Sequence, residues 1–238
     1  MKSRDQLAQA VHDFVRQDFD HTFGDEGDWP DAPPLWARLR ELGTRLWLDT
    51  GSLDDSGALW NSAFQALTTN NTLLNQEVQT GAYDELVRDA VRLLADFDLS
   101  ETDRLLELAF ILNATHGLKL VSTYDAFVSV EEHTDLADDR DAAVAYALRY
   151  YAICPERFIV KIPFTPAGLL ATRAVAAKGV PVNHTLGFSA RQNYLIARIG
   201  RPEFVNVFMG RLNSFVAGND LGDGSYVAYF EVPESPEM

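Results

Sequence analysis

The chain has 238 residues, 47% of them hydrophobic, and a formal net charge of −15 at pH 7. This composition supports one sizeable core, so we expect a single domain over residues 1–238. The acidic balance argues against nucleic acid or an anionic membrane as a partner, because both attract basic surfaces.

Two further features of the composition restrict the function. The lone Cys154 excludes an internal disulfide and a cysteine-based zinc cluster, and its place beside Pro155 predicts a structural role. The sequence shows no leader at Met1 and no apolar run that reads as a membrane span. We therefore expect a cytoplasmic protein.

The predicted elements begin with two helices. Ser3 to Phe19 has an amphipathic pattern, and a loop rich in Gly, Asp and Pro follows from Asp20 to Pro34. A second helix over Leu35 to Leu42 ends at Gly43. Residues 1–44 are therefore predicted to form a helical extension that packs on the main fold.

Strands and helices then alternate. The first strand is expected near Arg45 to Leu48, and the clearest helical segments before the next motifs are Tyr83 to Phe97 and Thr102 to Thr115. Phe158 to Phe164, FIVKIPF, reads as a buried strand, and Val180 to Phe188 reads as another. Alternation of this kind predicts α/β architecture.

A helix is predicted between these last two strands. Thr165 is expected as its N-cap and Pro166 as its first residue, and Gly179 ends it. The three elements form a βαβ unit. Polar Asn183 and Thr185 lie near the end of its second strand, where sites are built in parallel sheets.

Lys161 is an amine in the middle of an otherwise apolar strand. Burial disfavours the charged form of an amine, and a free amine can attack a carbonyl to form a Schiff base. The other three lysines, Lys2, Lys119 and Lys178, lie in segments that read as exposed or helical. The alternatives are a strand lysine that reaches the rim and one paired with a carboxylate.

Six segments occur in the order and spacing found in the transaldolase family. They are LWLDTGS (Leu46 to Ser52), ALTTNNTLL (Ala66 to Leu74), VSVEEHTDLADD (Val128 to Asp139), IVKIPFTPAGLLA (Ile159 to Ala171), VNHTLGFSARQ (Val182 to Gln192) and VNVFMGRL (Val205 to Leu212). The chain resembles that family over residues 45–212. The resemblance implies a TIM (β/α)8-type barrel of class I aldolases, with a Schiff-base lysine on the fourth strand.

The resemblance also implies catalytic roles. Lys161 would form the Schiff base, and Asp49 would be the acid or base of carbon–carbon cleavage. Glu131 would work with Thr185 to handle a catalytic water. From the residues alone, Asp49 is equally expected to be an N-cap, and Glu131 could instead form a salt bridge with a rim arginine.

Five further positions match substrate-binding positions of the family: Asn70, Asn183, Asn206, Phe208 and Arg211. Asn70 and Asn183 would hold substrate hydroxyls, although each could otherwise be a turn residue. Arg211 is the clear candidate to bind the phosphate. Asn206 departs from the family pattern, which has Ser there, and this changes the reach of the hydrogen-bonding group.

The resemblance implies the reaction as well. It implies transfer of a dihydroxyacetone unit from a ketose phosphate to an aldose phosphate, a step of the pentose phosphate pathway, with no cofactor. The related branch of fructose-6-phosphate aldolases has Gln and Tyr where this chain has Glu131 and Phe208, so transfer is favoured over simple cleavage. Sugar phosphates are the expected small-molecule partners.

Two other motifs are weaker. Glu131, Glu132, His133 and Asp135 crowd together like metal ligands, but neighbours on a strand point to opposite faces, so no metal site is predicted. Ser189 lacks the glycine pattern of a nucleophile elbow and is predicted to be a helix N-cap.

Residues 213–238 do not follow a familiar pattern at their end. The 27 residues beyond Arg211 are too few for two more βα units, so the barrel is expected to lack its last two units. An open edge would favour pairing with another chain, so we expect a homo-oligomer. The alternative to an active transaldolase-like enzyme is a shortened, inactive or partner-completed relative.

Overall fold

The computed structural model describes residues 2–24 and 27–221, and these contain a six-stranded, wholly parallel sheet. Each strand lies beside its predecessor in the chain, in the order β1-β2-β3-β4-β5-β6. The strands are β1 (Leu46–Asp49), β2 (Phe64–Thr68), β3 (Phe127–Glu131), β4 (Phe158–Pro163), β5 (Val182–Thr185) and β6 (Phe204–Val205). This sequential order is the one that a (β/α) barrel requires.

Helices precede β1, occupy every connection between the strands and follow β6. They are α1 (Arg4–Arg16), α2 (Pro34–Glu41), α3 (Leu53–Leu59), α4 (Asn71–Gln79), α5 (Asp84–Leu94), α6 (Glu101–Tyr124), α7 (Arg140–Ile153), α8 (Pro166–Ala176), α9 (Ala190–Leu195) and α10 (Met209–Gly218). A short 3₁₀ helix covers Thr134–Leu136, and a π-helical turn covers Ile196–Gly200. The α/β prediction is confirmed.

The two faces of the sheet differ in chemistry because side chains alternate along each strand. One face packs against the helices and forms the main core. It carries Val128, Val130, Phe158, Val160, Ile162 and Val182. The residues between them, such as Ser129, Glu131 and Lys161, belong to the other face, which is concave.

The sheet curls into a half-barrel. The rings of Trp47 on β1 and Phe204 on β6 have centroids 4.7 Å apart, although these strands are at opposite ends of the strand order. Together with Ala66 and Ile159 they line a cavity of about 640 Å³. Curling therefore closes part of the concave side with side chains from the two outermost strands.

The structure describes six strands of the predicted eight-stranded barrel. The expectation that the last two units are missing depends largely on residues 222–238, which lie outside the described residues. Before them, residues 209–218 form α10. The sequence motif predicts a sixth strand that ends near Phe208 and Arg211, and this end is wrong, because β6 ends at Val205 and the chain turns into the helix.

The first helix packs on the outside of the half-barrel. Leu7, Val11 and Val15 are buried where α1 meets α6 and α7. Ser3 and Gln6 form a capping box at its start, which satisfies two backbone donors. Phe14 of the same helix also packs against this core but is only partly buried.

The long helix α6 differs from the sequence prediction in length and composition. In the described part of the chain, Glu101–Tyr124 is long and apolar enough to cross a membrane by these two criteria, whereas no such segment was expected. It packs against α1, α5 and β3 and buries Glu107, Asn113 and His116. These core contacts account for its apolar composition.

Local signals at the helix ends are confirmed. Thr165 accepts a hydrogen bond from the backbone N–H of Gly168, and Ser189 caps α9 with Gln192 in a capping box. Gly179 follows α8 with a φ of +81°. The strand predicted over Val180 to Phe188 is shorter, because Leu186 turns into the left-handed region with a φ of +66°.

Cys154 lies directly after α7 and is fully buried. Burial, and secondarily the nearby Glu156 carboxylate, raises the pKa of its thiol to about 11. A thiol that stays protonated is unreactive, in agreement with the predicted structural role.

Candidate active site

Three polar side chains lie side by side on neighbouring strands. In the parallel register, Glu131 of β3 is paired with Lys161 of β4, and Lys161 is paired with Asn183 of β5. Residues in register on adjacent strands share a face, so all three belong to the concave side.

Lys161 is buried, with 5% of its surface exposed. Its Nζ donates a hydrogen bond of 3.0 Å to the carbonyl oxygen of Thr69 and lies 3.6 Å from Oε1 of Glu131. The alternative of a lysine that reaches the solvent at the rim is therefore wrong. The alternative of a pair with a carboxylate describes the observed contact.

Glu131 is held at its other oxygen. Oε2 accepts one hydrogen bond of 3.0 Å from the backbone N–H of Asn71 and another of 3.1 Å from Nδ2 of Asn71. Asn71 is the first residue of α4, so Glu131 also lies at the positive end of a helix. Its ion partner is Lys161, so the alternative of a salt bridge with a rim arginine is wrong.

Asn71 is itself held by α6. Its Oδ1 accepts a hydrogen bond of 3.2 Å from Nδ2 of Asn113, which also donates to the carbonyl oxygen of Ala109. Sequence reasoning missed both asparagines. The doubled Asn at the start of a helix was the available signal for Asn71, whereas Asn113 lies in mid-helix with no local signal.

Asn70 is the N-cap of α4. Its Oδ1 accepts a hydrogen bond of 2.9 Å from the backbone N–H of Leu73. Its oxygen is therefore used to cap a helix, which is neither the predicted contact with a substrate hydroxyl nor the alternative of a turn residue. Its Nδ2 has no hydrogen-bond partner within residues 2–24 and 27–221, and this group remains available to a ligand.

Asn183 and Ser129 form a buried pair. Nδ2 of Asn183 donates to Oγ of Ser129 at 3.0 Å, while its Oδ1 has no partner in the described part of the chain. A buried amide oxygen without a partner costs free energy. Sequence reasoning missed Ser129, although the alternation of β3 assigns it to the same face as Glu131.

Thr185 and Asn206 are brought together at the ends of β5 and β6. Nδ2 of Asn206 donates to Oγ1 of the buried Thr185 at 3.3 Å. The backbone N–H of Asn206 also bonds to the carbonyl oxygen of His184, which extends the β5–β6 pairing beyond β6. Asn206 thus contacts a predicted catalytic residue directly.

Asp49 ends β1, as predicted, and is exposed. The prediction that it could be an N-cap is wrong, because Ser52 caps α3 by accepting from the backbone N–H of Asp55. Thr50 accepts from the backbone N–H of Ser52 in the same turn. No hydrogen bond or ion pair joins Asp49 to Lys161 in the structure.

Phe208 and Arg211 lie beyond β6. The ring centroids of Phe208 and Phe188 are 5.6 Å apart, and the Arg211 guanidinium lies 4.9 Å from the Phe208 ring centroid. Arg211 is exposed in the first turn of α10, where the free backbone N–H groups favour an anion. It has no ion-pair partner within the described ranges.

The acidic run after β3 does not form a metal site. Glu132 is buried, and neither carboxyl oxygen has a hydrogen-bond partner in the part of the chain that the structure describes. Burial raises the pKa of that carboxyl well above its usual range. His133 accepts from the backbone N–H of Asp135 and caps the 3₁₀ helix. Across residues 2–24 and 27–221, no group of three His, Cys, Asp or Glu could hold a metal ion.

A curled parallel sheet with helices outside and charged groups at the carboxyl ends of its strands is the architecture of TIM-barrel enzymes. A family model described as Transaldolase/Fructose-6-phosphate aldolase matches residues 46–228. The chain therefore belongs to the transaldolase/fructose-6-phosphate aldolase family, and the predicted family resemblance is confirmed.

Individual relatives of the chain are named transaldolase. The transaldolase of Mycobacterium leprae (strain Br4923) is 31% identical over 217 residues, which cover 84% of this chain and 54% of that protein. Transaldolase 2 of Nostoc sp. (strain PCC 7120) is 34% identical over 170 residues, 66% of this chain and 44% of that protein. The chain spans about half the length of the curated relatives it matches.

Proposed function

We propose that this protein carries out transaldolase-type transfer, moving a dihydroxyacetone unit from a ketose phosphate to an aldose phosphate through a Schiff base on Lys161. The observation that carries the proposal is the buried Lys161 amine on β4, which lies 3.6 Å from Glu131 at the carboxyl end of the neighbouring strand β3. Family membership and relatives named transaldolase support the same reaction.

The first step is addition of the Lys161 amine to the ketose carbonyl. Water must then leave the carbinolamine to form the iminium, and a nearby acid or base must handle its protons. Oε1 of Glu131 on β3 faces the Lys161 amine, and Thr185 lies on β5, the strand on the other side of Lys161. These two groups would share the proton transfers. Hydrolysis of the final imine uses the same groups in reverse.

The second step breaks the carbon–carbon bond beyond the dihydroxyacetone unit. Asp49 would take the hydroxyl proton, the bonding electrons pass to the iminium, and an enamine remains on Lys161 as the aldose phosphate leaves. The enamine then attacks the aldehyde of the acceptor aldose phosphate. Asp49 is exposed at the end of β1, which leaves its carboxylate free to meet the substrate.

Substrate binding would use the groups with free hydrogen-bonding capacity. The open Oδ1 of Asn183 and Nδ2 of Asn70 suit sugar hydroxyls, and Asn206 and Phe208 would shape the pocket beside Thr185. Arg211 at the start of α10 would bind the phosphate. The proposal requires no cofactor and assigns the protein to the pentose phosphate pathway in the cytoplasm.

Glu131 and Phe208 favour transfer over simple aldol cleavage. The fructose-6-phosphate aldolase-like branch has Gln and Tyr at these two positions. A carboxylate next to the Schiff-base lysine can accept and return protons, whereas an amide cannot. An assay with and without an acceptor aldose phosphate separates the two reactions, because only transfer requires the acceptor.

The proposal is tested by trapping the imine. The full chain is incubated with fructose 6-phosphate and sodium borohydride, and its peptides are weighed by mass spectrometry. The peptide that contains Lys161 should gain a reduced three-carbon unit, and Lys161→Arg should abolish the gain. Lys178→Arg is the matched control, because Lys178 is exposed and should not react.

Asp49→Asn sharpens this test. The amide cannot accept the hydroxyl proton, so the trapped mass on Lys161 should be that of the intact hexose phosphate. An adduct on Lys119, or trapping that persists in Lys161→Arg, would overturn the proposal.

A further inference from the structure

Asn71 makes three kinds of contact around the predicted Schiff-base lysine. Its backbone N–H and its Nδ2 both donate to Oε2 of Glu131, and Nδ2 also donates to the carbonyl oxygen of Glu132 at 2.9 Å. Its Oδ1 accepts from Asn113. One side chain therefore connects α6, the start of α4 and the end of β3.

These contacts fix the direction of the Glu131 carboxylate. Two donors from one residue hold Oε2, so rotation of the carboxylate is restricted and Oε1 is left facing Nζ of Lys161. A group that transfers protons must be held within hydrogen-bond reach of the reacting amine. Without the Asn71 amide, a single backbone hydrogen bond would hold Oε2 of Glu131.

Asn113 determines which way the Asn71 amide points. An amide has a donor end and an acceptor end, and Nδ2 faces Glu131 only if Oδ1 faces the opposite donor. That donor is Nδ2 of Asn113, which is buried with 3% of its surface exposed and is itself held by the carbonyl of Ala109. The rigid core helix α6 thus sets the orientation.

Capping of α4 does not explain the Asn71 side chain. Asn70 already provides the cap through its bond to the backbone N–H of Leu73. The Asn71 side chain bonds to Glu131, Glu132 and Asn113, and to no backbone group of α4. Its contacts are directed at the site.

We infer that Asn71 is a positioning residue, oriented by Asn113, that aims Glu131 at Lys161 for the proton transfers of imine formation and hydrolysis. This inference rests on the proposed function. It concerns the rate of the imine steps and leaves the binding of the sugar phosphate to other residues.

The test measures the rate of imine trapping with fructose 6-phosphate as a function of substrate concentration and pH. Asn71→Ala keeps the backbone bond to Glu131 but removes the amide, and should lower the trapping rate about tenfold, the change that one hydrogen bond to a charged group produces. The half-saturating substrate concentration should stay unchanged, while the pH profile of the rate shifts. Asn71→Asp places an acceptor against Glu131 and should be slower still.

Asn75→Ala is the matched control, because Asn75 is exposed on the same helix. It should keep the wild-type rate and pH profile. Asn113→Leu should slow trapping like Asn71→Ala, and the double variant should be no slower than Asn71→Ala, because both changes break one chain of contacts. Additive losses would show that Asn113 does not act through Asn71.

Two results overturn the inference, and they are distinguishable. If wild-type protein traps on Lys161 and Asn71→Ala traps at the same rate and pH, the positioning role is wrong while the proposed function stands. If wild-type protein does not trap at all, the proposed function fails and this inference with it. A loss in Asn71→Ala that only follows a lower melting temperature also refutes the inference.

Discussion

Two consecutive glutamates at the end of β3 have opposite surroundings. Glu131 faces the site, accepts hydrogen bonds from Asn71 and forms an ion pair with Lys161. Glu132 is buried with 2% of its surface exposed, and its carboxyl oxygens have no hydrogen-bond partner among the residues that the structure describes. Alternation along the strand separates them, since neighbours point to opposite faces. Only the first can take part in the proposed chemistry.

Burial favours the protonated form of the Glu132 carboxyl in the native state and so raises its pKa well above the usual range. Below the unfolded pKa, about 4.3, both states hold the proton and stability is not reduced. As the pH rises above that value, the unfolded chain releases the proton and the native state keeps it, so stability falls until the raised pKa is reached.

We therefore predict that Glu132→Gln removes this loss of stability. The free energy of unfolding of the variant should exceed that of wild type by about 1 kcal/mol or more at pH 8, because each unit of pKa shift is worth about 1.4 kcal/mol. The difference should vanish near pH 4. Urea denaturation at both pH values measures it, with Glu85→Gln on the exposed surface of α5 as the control.

An equal change at pH 4 and pH 8 would show that Glu132→Gln acts through packing and not through titration. A wild-type protein that is more stable at pH 8 than the variant would contradict the buried, protonated state directly.

At the scale of elements, the contact of α6 with the sheet is unusually close at Gly117. A β-carbon at this position would lie 2.8 Å from Cζ of Phe158 and 2.9 Å from Cγ1 of Val130. These side chains are on β4 and β3, the strands that carry Lys161 and Glu131. Helix α6, which orients Asn71 through Asn113, therefore packs directly against the strands that carry the site.

Gly117→Ala should therefore destabilise the protein by about 1–3 kcal/mol, because the added methyl group forces the helix and the two strands apart. Gly210→Ala in α10 is the matched control, since nothing lies within 4 Å of its added carbon. The control should leave stability unchanged or raise it by up to about 1 kcal/mol. Chemical denaturation of both variants compares them, and equal stability would mean that the contact is not tight.

For the whole molecule, exposed apolar residues concentrate near the outer strand β6. Val205, Val207 and Phe215 are exposed there, and Phe215 on α10 has 62% of its surface accessible. Pairing in the sheet ends with two residues of β6, so a strand edge lies next to this apolar surface within the described residues. Edges and patches of this kind favour association with another chain.

We predict that the protein forms a homodimer or larger homo-oligomer through this side. Light scattering coupled to size exclusion should give a mass of at least two chains, and Phe215→Asp should lower it toward one. Leu35→Asp on α2 is the control, because Leu35 is similarly exposed but precedes β1. A monomer at high protein concentration, or equal dissociation by both substitutions, would refute the prediction.

Much of the fold follows from local patterns along the chain. The apolar run that predicts the strand around Lys161, the caps at Thr165 and Ser189 and the helix end before Gly179 each involve only residues within a few positions of one another. Because these signals are local, they can be recognised in the sequence. The six motifs likewise identify the family without coordinates, and the family match confirms it.

The arrangement around the site depends instead on distant residues. Asn113 reaches Asn71 across 42 positions of the chain, and the carbonyl of Thr69 reaches Lys161 across 92. Trp47 and Phe204 meet only because the sheet curls. No local pattern predicts such contacts, since they depend on strand register, on the curvature of the sheet and on how the helices pack against it.

The sequence by itself thus determined the α/β class, the family and the strand position of the lysine, because periodicity, capping and motif order are properties of short segments. Only the tertiary structure decided that Glu131 faces Lys161 while Glu132 is buried, and that Asn71 holds Glu131. These outcomes result from packing between segments that are far apart in the chain.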